Sequence, residues 1–146
     1  MPHKLPDPTQ PAEWLRTARS DLALAQAGRP TADVLYEQLC FHAQQAAEKA
    51  VKAVLVARQV DFPKTHVIGE LLKLVEREGV TIAGRVWEAS DLTPYAVRAR
   101  YPGSEEDIEE AEHRWAVELA EEVVKWAAGV VARSGEDRDR GPDDEA

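Results

Sequence analysis

Apolar residues recur at three- and four-residue steps through most of this chain, and no stretch keeps the two-residue alternation of a strand. The first run follows Pro11, a residue tolerated in the opening turn of a helix, and sets Leu15, Ala18, Leu22 and Ala25 on one stripe before "AGRPT" ends it. Thr31 as a cap predicts a longer second helix to about Arg58, in which Leu35 and Leu39 lead into Ala43, Ala46, Ala50 and Ala53. Thr65 caps a third, whose Ile68, Leu71, Leu72 and Val75 share a face and which Gly79 closes. A fourth segment from about Thr81 carries Ile82, Val86, Trp87 and Ala89, and Pro94 breaks it by removing a backbone donor. Ser104 with Asp107 resembles a capping box for a last helix. Its stripe of Ile108, Ala111, Trp115, Leu119, Val123, Trp126 and Val130 reaches about Arg133.

These elements predict an all-α, antiparallel up-and-down bundle of four main helices plus a short broken helix, joined by short loops. The alanine seam predicts a close approach of a neighbouring backbone to the second helix, with tryptophans from other helices supplying the missing bulk. Residues 1–10 are expected to be a flexible N-terminal segment, 11–133 the bundle, and 134–146 a disordered acidic tail, because "SGEDRDRGPDDEA" has no large apolar anchor.

Composition narrows the class of protein. A chain of 146 residues can bury a core as one domain without a staple. The lone Cys40 rules out a disulfide framework and, lying among apolar neighbours, reads as a small core residue, which fits a reducing cytoplasm. No apolar run has the length of a membrane span, and "MPHKLPDPTQ" lacks a signal-peptide core, so a soluble cytoplasmic protein with no membrane partner is expected. The net charge of −9 excludes nucleic-acid binding by bulk attraction, so contact with a nucleotide or RNA must be local. His3, His42, His66 and His113 lack metal-ligand spacing, and no phosphate loop, dinucleotide fingerprint or nucleophile elbow occurs. Neither a metal nor a cofactor is expected.

Two patches carry candidate chemistry. On the second helix His42, Gln45 and Lys49 step along one flank, beside a Glu48–Lys52 pair of i,i+4 spacing worth about 0.3–0.5 kcal/mol. By composition alone this is a solvated helix face. The other patch is "YAVRARYPG", where Arg98 and Arg100 flank tyrosines; guanidiniums beside an aromatic ring can hold a phosphate and stack a base.

Taken in order, "FHAQQAAEKAVKAVLVARQ", "THVIGELL" and "LTPYAVRARYP" resemble the HEPN family, small helical bundles of prokaryotes often encoded beside a minimal nucleotidyltransferase. The resemblance implies a homodimer, a minimal nucleotidyltransferase partner, a nucleotide or RNA ligand, and a place in a toxin–antitoxin-like system. It promotes Arg98, Arg100, Tyr101, His42, Gln45 and Lys49 to candidate nucleotide-binding residues. Many relatives are metal-independent ribonucleases with an arginine and a histidine separated by four to six residues. This chain departs from that motif: counted from Arg98 or Arg100, positions 103–107 hold Gly103, Ser104, Glu105, Glu106 and Asp107. The expectation is therefore a binding and interaction module. The alternative is a divergent ribonuclease in which Arg100 works with His42 or His66.

Overall fold

A computed structural model describes residues 7–98 and 107–140, with side chains for 7–97 and 107–135. It contains α1 (Pro11–Gln26), α2 (Tyr36–Ala57), α3 (Ile68–Arg77), α4 (Gly84–Glu88), a 3-10 turn (Ala89–Leu92), α5 (Tyr95–Arg98) and α6 (Glu110–Arg140), and no strand among the described residues. The expected all-α bundle is present. α2 is its axis, packed against α1, α6, α3, the 3-10 turn and α5.

Four contacts set the directions. His113 near the start of α6 donates from Nε2 to the Ala25 carbonyl at the end of α1, at 2.7 Å, while its ring lies 5.3 Å from that of Tyr36, the first residue of α2. The end of α1 and the starts of α2 and α6 thus share one pole, and α1 runs antiparallel to both. Trp126 donates to the Thr81 carbonyl and Tyr95 to Glu112 of α6, so the α4–α5 stretch returns the chain along α6 toward that pole.

The alanine seam behaves as its spacing predicts. Ala43, Ala46, Ala50 and Ala53 are all fully buried, as are Ala47 and Cys40. Their lack of bulk lets α1 and α6 close on α2. The filling comes from elsewhere than expected: Leu55, Ile68, Leu71, Leu72, Leu92 and Leu119 are among the largest wholly buried side chains, whereas Trp14, Trp87, Trp115 and Trp126 are partly buried against the cluster. A ring with a polar N–H is satisfied at the rim, where Trp14 and Trp126 each reach a backbone carbonyl.

Several boundaries move for local reasons. Thr31 caps no helix; its hydroxyl accepts from Asp33 N and its carbonyl from Val34 N, a self-contained turn that delays α2 to Tyr36. Thr65 makes a similar turn with Val67 N, and the first amide of α3, Ile68 N, is met by Thr93 Oγ1 from across the fold. Gly79 ends the α3 region with φ of +79°, as only glycine does without strain. The 3-10 turn stops at Leu92, two residues before Pro94. α6 begins at Glu110, later than the Ser104–Asp107 cap implies; Ser104 lies outside the described residues. It continues past Arg133 to Arg140, with Ser134 buried and bonded to the Val130 carbonyl. Residues 7–10 precede α1 as a turn in which Asp7 Oδ1 accepts from both the amide and the hydroxyl of Thr9.

Candidate functional site

The polar residues of α2 do not form a solvated face. Gln44, Glu48 and Lys52 are buried, and His42, Gln45 and Lys49 are partly so. The flank is turned toward α1 on one side and the turn before α3 on the other, and each side holds a carboxylate.

On the α1 side that carboxylate is Asp21. It takes the place in the buried stripe that the pattern assigned to Leu22, three residues after Ala18 and four before Ala25. His42 and Lys49, seven residues apart and hence on one face of α2, both reach it: His42 Nδ1 lies 3.0 Å from Oδ1 and Lys49 Nζ 2.6 Å from Oδ2. The sequence reading missed Asp21. The available signal was an acid set in register between two alanines of an apolar stripe.

On the other side the carboxylate is Glu48 itself. Its Oε2 accepts from Lys52 Nζ at 3.0 Å; its Oε1 accepts from Gln44 Nε2 and faces His66 Nδ1, both at 2.9 Å. The Thr65 turn, anchored on Val67 N and donating to Glu70, presents His66 to it. The Glu48–Lys52 pair is therefore a buried ion pair rather than an exposed one, and Lys52 also sits 5.8 Å from the Trp14 ring centroid and 5.7 Å from that of Phe62. Gln45 extends this half by donating to Gln44 Oε1 at 2.7 Å. Among the described residues no buried side-chain nitrogen or oxygen lacks a partner.

The two halves repeat one chemical unit: a buried carboxylate that holds a lysine on one oxygen and a histidine on the other. Carboxylate oxygens accept, so Nδ1 of each histidine carries the proton, and Nε2 is the atom left for a ligand. That nitrogen has no hydrogen bond among the described residues, and the imidazoles of His42 and His66 are 31% and 53% exposed. Two carboxylates and two lysines cancel in charge, so attraction for an anion has to come from outside the cluster. Lys49 also lines a pocket of about 210 Å³ with Asp7, Pro8, Glu13, Trp14 and Thr17.

The structure thus brings together His42, Gln45, Lys49 and His66 among the sequence candidates. Arg98 closes α5, its side chain outside the described part, and Arg100 and Tyr101 lie outside the described residues. Among the described residues no three His, Cys, Asp or Glu side chains gather as a metal site, and no helix is long and apolar enough to cross a membrane.

Comparison with known proteins identifies the family of the fold. The family model of the HEPN domain matches residues 11–131. The crystal structure of ST0689, an archaeal HEPN homologue, has a similar fold, with a TM-score of 0.65 over 84% of this chain and 98% of that one at 24% identity. The crystal structure of TT1696 from Thermus thermophilus is also similar, with a TM-score of 0.58, 32% identity, and coverage of 86% and 96%. No curated protein matches the chain. With the match spanning α1 to most of α6, the chain belongs to the HEPN domain family.

Proposed function

We propose that this HEPN domain is a non-catalytic binding and interaction module, which as a homodimer takes a nucleotide and works with a minimal nucleotidyltransferase in a toxin–antitoxin-like system. The observation that carries it is the grip of Asp21 on His42 and Lys49, which fixes a donor, the Lys49 ammonium, and an acceptor, His42 Nε2, on one side of α2 before any ligand arrives. Because the buried charges cancel, Arg98 and Arg100 supply the attraction for phosphate and Tyr101 a stacking surface, while Gln45 is held beside the Glu48 half by its bond to Gln44. Membership of a family whose domains commonly dimerise supports the homodimer. The absent arginine-to-histidine motif supports binding over cleavage.

Isothermal titration with nucleoside monophosphates and triphosphates tests it. Binding that Lys49→Ala weakens about tenfold, the order expected for a charge-assisted hydrogen bond, is the expected result. No binding of any nucleotide, together with failure to co-purify with a neighbouring nucleotidyltransferase, overturns it.

A second reading has an observation of its own. Both histidines are held at Nδ1 by buried carboxylates, the arrangement that orients an imidazole to move a proton at Nε2. In that reading Arg100 steadies the phosphate of an RNA while His42 or His66 moves the proton of a ribose 2′-hydroxyl. Metal-free cleavage of a mixed RNA, lost in Arg100→Ala and in one histidine variant, would replace the binding module by a ribonuclease.

A further inference from the structure

We propose that the pocket walled by Trp14 receives the base of the nucleotide, with the sugar and phosphate leaving it toward Lys49 and His42. This rests on the reading that the protein binds a nucleotide, and adds where the ligand's ring lies and which groups choose it.

Size is the first ground. At about 210 Å³ the pocket is smaller than the roughly 300–1,000 Å³ of an ordinary small-molecule site, so it takes a single ring system and leaves the rest of a nucleotide outside. The second is the fixed ring. Trp14 donates from Nε1 to the Pro8 carbonyl at 2.9 Å and meets Phe62 edge to face at 6.1 Å, so its plane is set before a ligand stacks on it. Thr17 adds no competing polarity, because its hydroxyl is bonded to the Glu13 and Trp14 carbonyls of its own helix.

Charge decides the class and the direction of the occupant. Lys52, which is not part of the lining, already holds its ammonium 5.8 Å from the Trp14 centroid. A second cation on the same ring would meet that charge, so a neutral π system suits the ring better than a basic side chain. The carboxylates of the lining are engaged, Asp7 by Thr9 and Glu13 by Arg16. Among the described residues Lys49 is the one cation of the lining, and Asp21 joins it to His42. Asp7 and Glu13 repel a phosphate and the Lys49 ammonium, though balanced by Asp21, still donates, so the anionic end of the ligand points from Trp14 toward α2, with the net attraction left to Arg98 and Arg100 as proposed above. Stacking is tolerant of base identity, so the pocket favours having a base over which base it is.

The test titrates the full chain with adenosine 5′-monophosphate and with ribose 5-phosphate, by calorimetry and by the indole N–H resonances of 15N-labelled protein. The expected result is that the nucleotide binds about tenfold more tightly than the sugar phosphate and shifts the Trp14 indole signal. Trp14→Leu should bring its affinity down to that of ribose 5-phosphate, whose own affinity stays unchanged. Trp14→Phe, which keeps a ring, should retain most of it, and the indole shift in the wild-type chain needs no variant to fold. Equal affinity for the two ligands, or nucleotide binding indifferent to Trp14→Leu, overturns the base pocket and leaves the binding module standing. No binding of adenosine, guanosine, cytidine or uridine monophosphate overturns both.

Discussion

Glu48 is 3% exposed and serves Lys52, Gln44 and His66 with its two oxygens. Glu48→Ala would leave a buried lysine and a buried amide without their acceptor, and we expect a loss of about 3–5 kcal/mol in urea denaturation. Asp21→Ala should cost less, about 1–3 kcal/mol, since Lys49 and His42 can turn to water. Equal costs would mean that burial does not separate the two carboxylates. These residues also mark how far the site could be read from the sequence. His42, Gln45, Lys49 and His66 were legible as candidates, but the pair Glu48–Lys52 looked like any exposed i,i+4 pair, because spacing along a helix says nothing of what lies against it. Asp21 sits on another helix, and its meeting with α2 is a tertiary fact that no local pattern states.

At the scale of elements, the end of α2 carries a residue its conformation does not favour. Gln59 has φ of +59°, Val60 N reaches the Leu55 carbonyl and Gln59 N the Val56 carbonyl, the bond pair of a Schellman motif with glutamine where glycine is usual. Gln59→Gly should therefore stabilise the protein by about 0.5–1 kcal/mol, read as a rise in the denaturation midpoint at unchanged slope. A fall would mean that the side chain makes up for the left-handed backbone. The sequence showed Gly79 as a stop because glycine announces itself, whereas nothing in "ARQVDF" announces the same turn at Gln59. The alanine seam was legible for the opposite reason: small residues at helical spacing are consistent with few other uses. The start of α2 was not, since Thr31 closes a turn with the same chemistry it would have used as a cap.

At the scale of the whole molecule, the large apolar side chains most open to solvent among the described residues are Leu24, Leu35, Val67 and Val97, the last 60% exposed. Sedimentation equilibrium should give twice the 16.2 kDa chain mass if the proposed homodimer forms, and a monomer at micromolar concentration would remove it. The central place of α2 has a further consequence, for the order in which the molecule opens. A helix covered by α1, α3, α5 and α6 cannot release its amides to solvent while those partners stay folded. In native-state hydrogen exchange, the amides from Ala46 to Val54 should be the slowest, with a urea dependence equal to that of global unfolding, and those of α4 should exchange sooner. Since α2 carries His42, Gln45, Glu48 and Lys49, these groups of the site would persist for as long as the fold itself. A ligand would then meet a finished surface, and its binding would carry the small heat-capacity change of docking without the large one of a segment folding around it.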